Sequence, residues 1–230
     1  MNKQRLIGLC IAAMFVTGAR GFAAGATITG KIALTGEAPA PKKIAVTQDT
    51  SVCGAEKLLQ EIQVSPDKGV RYAVVRLIGA KGAAPAPAGN VVIDQKGCMF
   101  APPVVVVPKG GSLDIANDDG ILHNVHSHST ANSAFNRSQP GFLKKITQKF
   151  DRVETVRLNC DIHGWMTGWV VVAEDSFVAV TDGSGGFKLS GVPAGTYKLE
   201  VWHPVLGAQT KDVTVADGGE AKVNFELAVK

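Results

Sequence analysis

Beyond its first residues the chain has no run of about 20 apolar side chains, the length a helix needs to cross the hydrocarbon core of a bilayer. A transmembrane anchor is therefore not expected in the mature protein. A Cys-x-x-Cys-His segment is absent, which excludes covalent haem attachment of that kind. Paired carboxylates, a Ser-His-Asp order and a phosphate-cradling glycine loop are not evident, so an enzyme is not indicated. A charge imbalance is missing too. Of 24 basic side chains, Lys3, Arg5 and Arg20 fall within residues 1–26, where there is no acid; the rest of the chain carries 21 basic against 20 acidic groups. No nucleic-acid partner is expected from such a balance. Cysteine is scarce: Cys10, Cys53, Cys98 and Cys160 are the four present.

The N-terminal end reads as an export signal. Lys3 and Arg5 precede the apolar residues 6–16, and Ala24-Gly25-Ala26 supplies small side chains for cleavage. Residues 1–26 are assigned to this signal, with Ala23 and Ala24 as other cleavage points. Cys10 lies too deep in the apolar run to carry a lipid anchor and leaves with it. Export, to the periplasm or beyond, places the remaining three cysteines in an oxidising compartment. An odd cysteine there is either an intermolecular partner or a thiol with a chemical task.

The remainder is predicted to be all-β. Ile28, Ile32 and Leu34 share one face of an alternating run; Tyr72, Val74 and Arg76 alternate with Ala73, Val75 and Leu77. Val156, Leu158 and Cys160 share a parity, as do Tyr197, Leu199 and Val201, and Val223, Phe225 and Leu227. Residues 104–107 and 169–173 are unbroken apolar runs, the pattern of strands buried on both faces. Turns rich in Gly, Pro, Asp and Asn separate the runs, as in sandwiches and barrels. One short helix is predicted near residues 55–60. The chain divides into an N-terminal β segment with a Pro/Ala/Gly linker at 81–89 (together 27–89), a central segment (90–175) that holds the chemistry, and a C-terminal set of strands (176–230).

The chemistry lies in Cys160-Asp161-Ile162-His163-Gly164-Trp165-Met166, a short loop between two strands. Thiolate, imidazole and thioether on one loop converge on one point, and a fourth donor has to come from elsewhere. Residues 117–126 offer it, where a strand ends, turns and presents His123. By strand parity His126 and His128 face away from His123, so His123 is the preferred ligand. The His-Ser-His pair is then either a polar surface or a weak second metal site. Thiolate with two imidazoles and a weak axial Met is the ligand set of electron-transfer copper, since imidazole suits Cu(II) and the sulfur donors suit Cu(I). Zinc would not need the Met. Cys53 and Cys98 remain to pair with each other as a disulfide. His203 is read as structural, and Trp165 as a shield against water.

Residues 112–173 resemble the cupredoxins, above all amicyanin and plastocyanin, through Cys-x2-His-x2-Met and the upstream Leu-His-Asn-Val-His. The resemblance implies a Greek-key β-sandwich and one type 1 copper ion on His123, Cys160, His163 and Met166, with Asn124 bracing the Cys loop by hydrogen bonding. Leu122 stands where that family has proline. Residues 180–189 and 191–197 resemble the carboxypeptidase regulatory-like (prealbumin-like) β-sandwich, which implies a second, smaller sandwich without chemistry of its own. Residues 30–36 faintly share that pattern, which links 27–80 with the C-terminal sheet. The function implied is single-electron transfer between redox protein partners in the periplasm. Copper binding or delivery with the same ligands, and a structural module with a vestigial site, are the competing readings.

Overall fold

Period-two alternation lets each strand bury one face, and this chain is built almost entirely from such strands. The computed structural model describes residues 25–80, 89–175 and 177–229; residues 1–24 of the signal expected at 1–26 and residues 81–88 of the linker expected at 81–89 lie outside the described residues. The chain forms β1 (Ala26–Thr35), β2 (Lys42–Ala45), one helical turn α1 (Thr50–Cys53), β3 (Glu56–Leu59) and β4 (Val74–Ile78). Next come β5 (Val91–Gln95), β6 (Phe100–Ala101), β7 (Val104–Pro108), β8 (Ser112–Asn117) and β9 (His123–Ser127). They are followed by β10 (Asn136–Gln139), β11 (Lys145–Lys149), β12 (Glu154–Asn159) and β13 (Thr167–Ala173). The last strands are β14 (Val178–Val180), β15 (Gly186–Val192), β16 (Gly195–His203), β17 (Gly207–Val215), β18 (Glu220–Lys222) and β19 (Phe225–Ala228).

Two sandwiches result. In the central one, the sheet β10-β9-β12-β13-β7 faces the sheet β11-β8-β5-β6, and the chain crosses repeatedly between them. Ile93, Leu113, Ile115, Val125, Val156, Leu158 and Val170 fill the space between. In the other, the sheet β15-β1-β18, with β19 also on β1, faces β14-β4-β16-β17. Its core holds Ile28, Ile32, Val75, Leu199, Val201 and Phe225. This second sandwich is assembled from both ends of the chain. β1 pairs with β15 antiparallel and with β18 and β19 parallel, and β4 lies between β14 and β16.

The two unbroken apolar runs have a specific cause. Val105 and Val107 of β7, and Val170 and Val172 of β13, point into the central core. Their neighbours Val104, Val106, Trp169 and Val171 point outward against Val74, Val178, Val180 and Trp202 of the other sandwich. Trp169 and Trp202 meet edge to face with ring centroids 5.5 Å apart. Strands caught between two cores need apolar side chains at every position.

The predicted helix at 55–60 is corrected. The helical turn is Thr50–Cys53, and residues 56–59 pair with β2 as a strand. The chain leaves the turn at Gly54 with φ 82°, a conformation that favours glycine. Pairing of Ala45 with Glu56 then closes a hairpin around the turn.

Candidate metal centre

β12 and β13 stay paired as far as Asn159 and Thr167, so residues 160–166 form the loop between them. Cys160 continues the inward parity of Val156 and Leu158 and is wholly buried. The loop closes on itself: the Cys160 N–H donates to the Met166 carbonyl (3.3 Å), and the Met166 N–H to the His163 carbonyl (2.8 Å). The Cys160 Sγ accepts the backbone N–H groups of His163 (3.4 Å) and Asn124 (3.5 Å). His163 and Met166 are as fully buried as Cys160, and Met166 packs in the same core.

His123 is delivered from the adjacent strand β9. The turn before it uses Gly120 at φ 71°, and Gly141 sits so close that a Cβ there would lie 1.9 Å from the Gly120 carbonyl oxygen. The buried Asn117 side chain donates to the Ile121 and Gln139 carbonyls (2.9 and 3.0 Å), which holds the turn against β10. His123 and Val125 then face the core, while His126 and His128 lie on the other face with their rings stacked 4.6 Å apart.

Three donor atoms converge. His123 Nδ1 and His163 Nδ1 are 3.0 Å apart, and Cys160 Sγ lies 3.9 and 3.8 Å from them. The point equidistant from all three is about 2.1 Å from each, by the geometry of that triangle. Metal–imidazole bonds are about 2.0–2.1 Å and metal–thiolate bonds about 2.3 Å. The outer nitrogens settle the tautomers. His123 Nε2 contacts the Asp119 carboxylate and His163 Nε2 the Asp49 carboxylate, both at 2.9 Å. An ionised carboxylate only accepts, so each Nε2 carries the proton and each Nδ1 presents a lone pair. Two lone pairs facing at 3.0 Å repel unless a cation or a shared proton lies between them. The arrangement therefore fits a metal ion. Burial pushes the His123 imidazole below the ordinary histidine range, against the pull of Asp119, which keeps it neutral and free to ligate.

Surrounding contacts hold the loop. The Asn124 Oδ1 accepts the Asp161 N–H (2.6 Å), and its Nδ2 donates to Asn136 (2.6 Å) and to the Asp161 carboxylate (3.1 Å). Asp161 also accepts from His126, Asn136 and Asn159. Hydrogen bonds from His126 first, then Asn136, bring its pKa down to about 2. Cys53 and Cys98 form a disulfide, and Cys160 is the free cysteine among the described residues. Trp165 is half-buried, its ring 5.2 Å from that of His163, and its Nε1–H donates to the Cys98 carbonyl (2.9 Å). A second cluster, Cys98 with Asp119 and His123, offers no thiolate because Cys98 is in the disulfide. His203 is buried in the second sandwich, away from the triangle, and its Nδ1 accepts the Val205 and Leu206 N–H groups (3.2 and 3.4 Å).

Asp119 and Asp49 are the residues that reasoning from the sequence missed. Asp119 sits in Asp118-Asp119-Gly120, which carries the ordinary signature of a turn. Its carboxylate also accepts the Gly97 and Cys98 N–H groups (2.6 and 2.7 Å). Asp49 lies 114 residues from His163, and nothing local to it signals the contact.

Residues 166–228 match the family model of the carboxypeptidase regulatory-like domain. The match begins at Met166 and thus takes in β13 of the central sandwich. Comparison with curated proteins returns no match. Among solved structures, the chain is similar to a Cu-containing nitrite reductase from Thermus scotoductus SA-01 (22% identity, TM-score 0.36), with 43% of this chain covered. It spans only 25% of the length of that enzyme. It is also similar to a methionine-to-alanine variant of amicyanin in the Cu(I) form (21% identity, TM-score 0.34), with 43% of this chain and 98% of that one covered. A purple cupredoxin from Nitrosopumilus maritimus aligns at 20% identity and TM-score 0.30, over 36% of this chain and 100% of that one.

Proposed function

We propose that the protein is an exported type 1 (blue) copper protein that passes single electrons between redox partner proteins and has no substrate of its own. The observation that carries this reading is the buried triangle of His123 Nδ1, Cys160 Sγ and His163 Nδ1, whose centre lies at bonding distance from all three. Met166, buried on the same loop, would supply a further, weaker sulfur donor. A bound copper ion would supply the one-electron Cu(II)/Cu(I) couple. The residues do the rest. Two backbone N–H groups orient the thiolate, two carboxylates hold the imidazoles, and paired strands on both sides of the loop resist change of geometry.

Complete burial of the three donors supports electron transfer over turnover, because a substrate has no open position to occupy. It also counts against copper delivery, which needs a donor that reaches the surface. The N-terminal signal pattern and the Cys53–Cys98 disulfide both support a periplasmic or otherwise exported location. The near-neutral charge beyond residue 26 gives no support for a nucleic-acid partner.

The test is Cu(II) titration of the folded protein followed by visible absorption, beside Cys160→Ser. The reading requires an intense blue band that saturates at one copper per chain, vanishes reversibly on reduction and is absent from the variant. A correctly folded protein with the Cys160 thiol free that shows no band on addition of Cu(II) would overturn it.

A further inference from the structure

The β2–β3 hairpin pairs with no other strand among the described residues. Side chains near its tip attach it to the central sandwich instead. Val46 and Cys53 enter the central core, Cys53 is bonded to Cys98, and Lys57 Nζ donates to the Gly97 carbonyl at 2.8 Å. Asp49 lies at this tip, directly before α1.

Asp49 is in a conformation that its local sequence does not favour. Its backbone is left-handed, φ 50° and ψ 35°, a region uncommon for residues other than glycine, although aspartate enters it more readily than most. Aspartate before a helix normally turns its carboxylate back to cap the first N–H groups. Here it makes no capping bond. The carboxylate instead accepts His163 Nε2–H at 2.9 Å. The His163 side chain is 0% exposed and that of Asp49 41%, so the carboxylate is a layer between the imidazole and water.

The disulfide connects the two carboxylates. The Cys53 N–H donates to the Asp49 carbonyl at 2.8 Å, and the Cys98 N–H to the Asp119 carboxylate at 2.7 Å. One cross-link thus joins the backbone bonded to Asp49, which holds His163, to the backbone bonded to Asp119, which holds His123.

We propose that Asp49 is a positioning residue for His163, and that the disulfide-tied hairpin is a fixed cover over the outer edge of that imidazole. The effect on a bound ion rests on the copper reading above; the placement of the ring belongs to the metal-free protein as well. Asp49 holds the proton on Nε2 and keeps the Nδ1 lone pair turned into the triangle. With the edge covered, water does not reach the ligand, and copper leaves slowly.

Asp49→Gly and Asp49→Asn in the full chain test this. Glycine fits the left-handed backbone and removes only the carboxylate; asparagine keeps an oxygen that accepts the Nε2–H. In the metal-free protein, imidazole nitrogen NMR should find His163 of the wild type as one Nε2–H tautomer with slow proton exchange. Asp49→Gly should mix the tautomers and speed exchange at least about 10-fold, whereas Asp49→Asn should behave as the wild type. With copper bound, loss of Cu(I) to an excess of chelator should be about 10–100-fold faster in Asp49→Gly and nearly unchanged in Asp49→Asn, the range typical of partners that orient metal ligands. Wild-type tautomer and exchange in Asp49→Gly would overturn the proposal, as would an unchanged Cu(I) release rate. If the wild type takes up no copper, the copper reading fails, and the NMR comparison alone still decides the role of Asp49.

Discussion

Removing the Cys53–Cys98 disulfide should cost far more stability than a surface change. The bond spans 45 residues and joins side chains that are 2% and 0% exposed. In the chain-entropy treatment, opening a loop of this length costs about 4 kcal/mol. Alanine at both positions also withdraws two sulfur atoms from the core, worth about 1–2 kcal/mol together by area bookkeeping. The double variant Cys53→Ala/Cys98→Ala should therefore lose about 5–6 kcal/mol. At about 2–4 °C per kcal/mol for a chain of this size, the melting temperature falls by roughly 10–24 °C. The assay is calorimetry on metal-free protein, because a bound ion adds its own binding free energy to the folded state. Near-UV dichroism should change with it, since Trp165 donates to the carbonyl of Cys98. Reducing the wild type with a small dithiol leaves the sulfurs in place and should cost only the loop term of about 4 kcal/mol. A fall of less than about 3 °C in both experiments would refute the reasoning. It would mean that the hairpin is not held against the central sandwich, or that the unfolded chain keeps the two cysteines together.

Two further outcomes are expected. Burial in the second sandwich holds His203 down at about 4, against about 6.5 in an unfolded chain. Between these values the unfolded state binds a proton that the folded state does not, so stability falls as pH drops from 6.5 towards 4, by about 3 kcal/mol in all. A proton NMR titration of His203 with denaturant curves at pH 7 and 4.5 checks this, and a midpoint near 6.5 would contradict it. Asn124→Ala leaves the Asp161 N–H without its 2.6 Å acceptor. The variant should lose about 1–3 kcal/mol of stability and about 10–100-fold in metal affinity. Chelator competition measures the second effect, and unchanged affinity would show that Asn124 does not brace the loop.

The parts of the site that lie on one strand or one loop were legible from residue order. Period two puts His123 on the face opposite His126 and His128, and it carries Val156, Leu158 and Cys160 inward together. The spacing of Cys160, His163 and Met166 places three donors on a single loop. The runs at 104–107 and 169–173 told of strands covered on both sides, but not of what covers them.

Partners remote in sequence were decided only by the tertiary structure. β1 could have paired with many strands of similar pattern; the shape of the whole core seats it against β15, β18 and β19. The outer faces of β7 and β13 acquire their meaning when a second sandwich packs on them. Asp49 looks like any aspartate before a helical turn until the Cys53–Cys98 cross-link brings it to His163. The physical reason is range. Backbone alternation and loop spacing act between neighbours and are written in residue order, whereas the hydrogen-bond acceptor of a buried imidazole is chosen by whichever carboxylate the packed chain carries to within 3 Å of it.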